Sequence, residues 1–355
     1  MPAGSNICNA RNNYHLKMKK IIRKSILKSI LPLWGGMLGL LSLCTSCKNG
    51  DPDFPDFDYS TVYFARQYPI RTVVLGNDEN VDNTLDNNHQ IEIYATMGGR
   101  RSNGGKTVIG IEVDNSLCNN LYFEDGTAVK AMPETYYTLS DNKIVMDGSL
   151  MGKVKVQLTD AYFADPTAVA TTYVIPIKMT GVQGADSILV GDPKTAAAIR
   201  TNGDDWNVVP KDYILYCVKF INPWSGVYLR RGVDVADGKT TARHGSSVEK
   251  DQVFTVTTSG YNTVDYPYSP DVKLRLTFSQ DGKCTVSSLT NGVTATGTGH
   301  FAEKSELKAW GNKDRDAIYL DYTVTKNGVT TATKDTLVAR DRGYKVIDTF
   351  SPVYN

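Results

Sequence analysis

The sequence predicts an all-β protein, an N-terminal β-sandwich followed by a C-terminal antiparallel barrel or meander. Three observations predict it. Short apolar runs alternate with polar residues at a period of two. Asp-Gly and Asn-Gly pairs punctuate those runs as hairpin turns. No segment of the mature chain sustains the apolar period of a long helix. At 355 residues the chain is long enough for about two domains.

The first domain is expected over residues 59–190. Thr61–Ala65, Gln90–Ala95 and Lys153–Leu158 concentrate or alternate β-branched and aromatic residues. Tyr173–Met179 continues the pattern, and Pro176, which cannot donate to a ladder, marks it as an edge or bulged strand. Gly98-Gly99 and Ser102-Asn103-Gly104-Gly105 are turns, and Asp165–Ala170 suits one short helical turn. Many short strands with such breaks predict a sandwich of immunoglobulin-like size.

From Gly181 to Lys211 the periodicity fades, and residues 191–211 read as a linker broken by Gly191-Asp192-Pro193 and Asn202-Gly203-Asp204-Asp205. The second domain is expected over residues 212–355, opening with Tyr213–Phe220. Val253–Thr257 and Val272–Phe278 follow, and Asp281-Gly282 turns the chain into Cys284–Val286. Ala317–Val324 and Asp335–Ala339 flank Asn327-Gly328 as a further hairpin. Successive hairpins without a long helix favour a lipocalin-like meander, closed or nearly so.

Residues 1–46 carry seven of the 39 basic side chains and no acidic one, leaving 32 basic against 38 acidic in the remainder. The whole-chain charge of +1 therefore hides a mature protein near −6, which gives no footing for nucleic acid. The basic stretch from Met18-Lys19-Lys20 to Lys28 precedes an apolar run, Ile30–Leu43, too short for a bilayer span. That layout predicts a signal peptide, with Met18 as the initiator.

The run ends in Leu43-Cys44-Thr45-Ser46-Cys47, which resembles the lipobox of bacterial lipoproteins. The resemblance implies cleavage before Cys47 and lipidation of its sulfur, with residues 47–58 as a tether rich in Asp and Pro. Acidic residues after the lipidated Cys also resemble the surface-export signal of Bacteroidetes lipoproteins. Each buried acyl methylene contributes about 0.8 kcal/mol, so several chains would hold a soluble domain on the membrane.

Two further stretches carry a family resemblance. Tyr63-Phe64-Ala65-Arg66-Gln67 with Arg71–Gly76, and Leu158–Pro166 with Tyr173–Ile177, resemble the N-terminal sandwich domain, of unknown function, of Bacteroidetes lipoproteins. Asn222-Pro223-Trp224-Ser225-Gly226 through Gly232, and Trp310-Gly311-Asn312-Lys313-Asp314-Arg315-Asp316, are similar to the lipocalin-like domain that often follows it. The resemblance spans about residues 55–350. It implies an outer-membrane, outward-facing lipoprotein of a polysaccharide-utilisation system, partnered by an importer and its glycan-capturing lipoprotein. It supplies no catalytic set.

The residues themselves point to no enzyme and no cofactor. No nucleophile elbow, HExxH helix, phosphate loop or dinucleotide fingerprint occurs. His89, His244 and His300 are scattered, and no metal-ligand spacing is present. Glycoside hydrolysis needs two carboxylates ~5–9.5 Å apart, and nothing singles out two. Outside the leader and Cys47, Cys118, Cys217 and Cys284 form no disulfide framework. Cys217 could pair with Cys284, but three buried thiols are the expectation.

Aromatics are more informative, because sugar rings lay their C–H faces on Tyr and Trp. Tyr261, Tyr266 and Tyr268 fall in a Pro-containing segment read as a loop, and Trp224 and Trp310 lie near strand ends at a barrel mouth. These five are the candidate ligand residues, while Arg230 and Arg231 point to opposite faces of one strand. The expected function is non-catalytic binding of a polysaccharide or oligosaccharide at the cell surface. A structural or adhesin-like surface lipoprotein is the first alternative, and a glycoside hydrolase the second.

Overall fold

The computed structural model describes residues 56–354. The leader, Cys47 and most of the tether lie outside the described residues. Residues from Phe57 onward form one unit containing two large sheets.

The first sheet orders its strands Ser187–Ile188, Thr61–Tyr63, Gln90–Gly98, Met151–Leu158, Lys143–Asp147, Lys106–Val113, Tyr173–Gln183, Tyr213–Ile221, Pro69–Val74 and Ile347–Thr349. A single residue pair, Val145↔Lys153, joins the two halves of this path, and the sheet folds over there. Alternation then places Ile91, Ile93 and Ala95 of one half against Ile109, Ile175 and Ile214 of the other in one core. This is the predicted sandwich.

The second sheet is a closed barrel of eight antiparallel strands from Gly226–Ala236 to Val329–Asp341. Closure comes from pairing of those two strands, Val227↔Asp341 through Val235↔Ala332. The Asp281-Gly282 and Asn327-Gly328 turns lie where the sequence places them, with Gly282, Asn327 and Gly328 at positive φ. Leu274, Leu276, Phe278, Val286, Leu320 and Leu337 fill the interior.

Three expectations are corrected. Tyr213–Ile221 does not open the barrel. It pairs with Tyr173–Lys178 and, in parallel, with Ile70–Val74 in the first sheet, so the barrel begins at Gly226. The strand is buried almost continuously, which marks a central strand without saying in which sheet. Pro176 sits in an interior strand rather than at an edge, while the other half of the expectation holds, since the strand is bulged at Met179/Gly181. Its carbonyl accepts from Asp114 N at 2.9 Å, on the side where Val174 O accepts from Met132 N at 2.8 Å. The missing N–H thus falls where one neighbouring segment gives way to the next, and no ladder bond is lost. Residues 191–211, expected as a linker, contain a small sheet of Asp192–Pro193 with Trp206–Val208. Trp206 Nε1 donates to Ile199 O at 2.9 Å, and Arg200 pairs with Asp212 at 2.6 Å.

After the barrel the chain returns to the first sheet. Ile347–Thr349 pairs with Pro69–Arg71, and Val353–Tyr354 pairs with Leu121–Tyr122.

Candidate functional site

The five candidate aromatics do not form one site. Strand Thr263–Ser269 runs the length of the barrel wall, so Tyr261 and Tyr268 lie about 20 Å apart at opposite ends. Tyr261 is 47% exposed, but its ring leans on Phe163, in the short helix Asp160–Ala164, and on His89, in the turn before strand Gln90–Gly98, at 5.5 and 6.1 Å. It is a contact between barrel and sandwich.

Tyr266 is fully buried inside the barrel. Its hydroxyl donates to Asp335 Oδ2 at 2.8 Å, beside that of Tyr322 at 2.6 Å. Arg230 Nη2 reaches the same oxygen at 3.0 Å, and Arg243 Nη2 donates to Asp335 Oδ1 at 2.9 Å. The Arg230 guanidinium lies 5.2 Å from the Tyr266 ring and 5.0 Å from that of Tyr268. Burial holds the Tyr266 and Tyr322 hydroxyls protonated, well above the usual phenol range. The expected tyrosine loop is therefore a strand, and Tyr266 belongs to a charged plug rather than a platform. The physical reason is that a buried Arg and Asp need every hydrogen bond they can find, and two phenols supply them.

Trp224 stacks on Phe278 at 4.1 Å and 6° against the barrel core, a packing role. Trp310 is different. The guanidinium groups of Arg315 and Arg340 lie 4.9 and 6.0 Å from its ring, and both line a cleft.

That cleft, about 320 Å³, lies between the segment Asn77–Asn83 and the proximal end of the barrel. Its sandwich wall is pinned locally. Asn83 Nδ2 donates to Val74 O at 3.2 Å, and Asp86 accepts from Val74 N at 2.8 Å while pairing with Arg71. The barrel wall is the hairpin Val293–Trp310 with Lys313–Lys326, which carries two register shifts, at Ala302/Glu306 and Glu306/Trp310. At these bulges Lys304 and Lys308 both have φ 48. Their N–H groups donate to Asp316 at 2.8 Å and Asp314 at 2.9 Å. The bulges bring Glu303, Lys304, Asp314, Arg315 and Asp316 to the cleft.

Polar contacts span the cleft. Lys313 Nζ and Arg315 Nη1 reach Glu79 at 3.1 and 3.6 Å, Asn77 Nδ2 donates to Glu303 at 3.2 Å, and Tyr344 donates to Asp78 at 2.8 Å. Burial, then the bond to Asp78, pushes the Tyr344 hydroxyl above its ordinary range. Arg342 donates from Nη2 to Leu75 O at 3.2 Å and Asn222 O at 2.7 Å. Its Nε is buried without a partner among the described residues. Burial lowers its pKa from the ordinary guanidinium value. The cleft thus offers carboxylate and amide acceptors beside guanidinium donors, the mixture that vicinal hydroxyls match. Asp314 and Asp316 already hold backbone N–H groups, and Glu79 holds two cations.

Sequence reasoning singled out Trp310 and the segment Trp310–Asp316 but missed the other wall. The available signal was the polar run Asn77-Asp78-Glu79-Asn80 after Gly76. A broader hollow of about 760 Å³ lies on the barrel wall, where His300 stacks on Tyr319 at 5.0 Å and 24°. Among the described residues, no group of three or more His, Cys, Asp or Glu could hold a metal ion.

A family model described as an N-terminal domain matches residues 57–186, and that of a domain of unknown function, DUF5627, matches residues 223–343. No curated protein matches the chain. A crystal structure of a Bacteroides ovatus protein of unknown function is 44% identical, with TM-score 0.81, covering 84% of this chain and 100% of that one. A second Bacteroides ovatus protein of unknown function is 14% identical, with TM-score 0.39, over 83% and 100% of the two chains. A third, provisionally described as carbohydrate binding, is 12% identical, with TM-score 0.27, over 82% and 99%. At those scores the last two carry no argument.

Proposed function

The chain belongs to the same family as the Bacteroides ovatus protein of unknown function to which it is 44% identical, and on that premise we propose that it is a non-catalytic glycan-binding protein. Its saccharide site is the cleft between Asn77–Asn83 and the barrel. The observation that carries this reading is the set of carboxylate and amide acceptors and guanidinium donors that line the cleft from both walls. The proposal extends to setting: a lipid anchor at Cys47, an outward-facing position on the outer membrane, and service beside a polysaccharide importer and its glycan-capturing lipoprotein. The lipobox-like run Leu43–Cys47 and the acidic tether support that setting.

Calorimetric titration of the purified protein with an oligosaccharide panel tests the function. Binding is expected for at least one glycan, and Glu303→Ala and Arg340→Ala should each weaken it about tenfold, the scale of a charge-assisted hydrogen bond. Tyr319→Ala, in the separate barrel hollow, should leave it unchanged. Absence of binding across the panel would favour a structural or adhesin-like surface protein. Release of reducing sugar would overturn the non-catalytic reading.

A further inference from the structure

A third concavity, of about 530 Å³, opens between the two halves of the sandwich sheet. Strand Gln90–Gly98 forms one side, and strands Pro69–Val74 and Tyr213–Ile221 form the other. The hydroxyl of Tyr216 crosses between them, donating to Glu92 O at 3.3 Å. Ile347, on the returning C-terminal strand, lines the groove together with Met151 and Tyr94.

Two features separate this groove from ordinary surface. First, three large apolar side chains that line it are left in water: Tyr94 is 43% exposed, Ile347 47% and Met151 52%. Isolated exposed apolar residues are common, but several around one concavity mark a binding surface. Second, its charged groups are paired with one exception. Glu92 accepts from the Tyr94 hydroxyl at 2.6 Å and pairs with Lys153 at 2.9 Å, and Arg71 pairs with Asp86. Arg66 lines the groove, is exposed, and has neither hydrogen bond nor ion pair among the described residues.

We propose that this groove binds a small anionic amphiphile, with its apolar body along Ile214, Tyr94, Met151 and Ile347 and its single carboxylate on Arg66. Charge complementarity selects the head group, because the guanidinium offers a two-pronged donor that a carboxylate fits and an alcohol does not. The volume lies within the range of small-ligand sites. The site is separate from the saccharide cleft, and neither reading depends on the other.

Titration of the full chain with dodecanoate, below its critical micelle concentration, tests this, with dodecanol as the uncharged comparison. Saturable one-to-one binding of dodecanoate is expected, at least tenfold tighter than dodecanol. Arg66→Glu should lose that preference with an unchanged melting temperature, since the side chain has no partner to lose. Ile347→Asp should weaken both ligands at least tenfold, and saccharide binding by Arg66→Glu should match wild type. Failure to bind dodecanoate, equal affinity for both ligands, or equal affinity of wild type and Arg66→Glu would each overturn the proposal.

Discussion

Arg230 and Asp335 form an ion pair at 3.0 Å inside the barrel, with side chains only 4% and 0% exposed. Asp335 accepts five hydrogen bonds, from Arg230 Nε and Nη2, Arg243, Tyr266 and Tyr322. Removing the carboxylate would leave a buried guanidinium and two phenols short of partners. Asp335→Ala should therefore cost about 3–5 kcal/mol, read from urea unfolding. Tyr266→Phe, which deletes one donor, should cost about 1–2 kcal/mol and leave saccharide affinity unchanged.

His89 should make stability depend on pH. Its ring packs on Phe163 at 4.1 Å and faces Tyr261, and burial lowers its pKa below 6.5, against the opposing pull of Asp160. Over the window between its lowered folded value and 6.5, the unfolded chain holds a proton that the folded chain lacks. Stability therefore rises with pH through that window and falls as pH drops through it. The urea midpoint should climb from pH 5 to 7. His89→Asn, chosen because the residue has φ 57 and Asn tolerates it, should flatten that part of the climb.

The three thiols should be inert in the native protein. Cys217 lies in the sandwich sheet and Cys284 inside the barrel, so they do not pair. Burial pushes the thiols of Cys118, Cys217 and Cys284 up to about 12, with Asp114 adding to the effect at Cys118. At pH 8 a thiol reagent should label them far more slowly than in urea, where all three react. Fast native labelling of Cys217 or Cys284 would contradict their burial.

The proposed anchor has its own test. Cys47→Ala should shift the protein from the membrane to the soluble fraction and abolish incorporation of labelled fatty acid. A variant that stays membrane-bound, beside a wild type that takes up no lipid, would refute the anchor.

Much of the fold was legible because strand alternation and turn chemistry are local. Ile91, Ile93 and Ala95 face the core at every second position, and Asp281-Gly282 and Asn327-Gly328 turn the chain where expected. Pairing over long separations was not legible. Tyr213–Ile221 looks the same whichever sheet receives it. Nothing near Tyr266 announces that Arg230 and Asp335, 105 residues apart, meet beneath it. The cleft joins Asn77–Asn83 to Glu303–Asp316 and Ala339–Arg342, more than 200 residues downstream, so only the hairpin carrying Trp310 could be singled out.

The return of Ile347–Thr349 to Pro69–Arg71 makes the barrel an insertion within the sandwich, entered after Ile221 and left before Ile347. Such threading has a temporal consequence. Synthesis delivers the amino end first, yet the sandwich strand Ile347–Thr349 emerges only after the whole barrel. The barrel, contiguous from Gly226 to Asp341, is complete while its host is still missing a strand. Domains commonly fold in the order they are made. Here the chain of the later module is complete before the earlier one receives its edge strand.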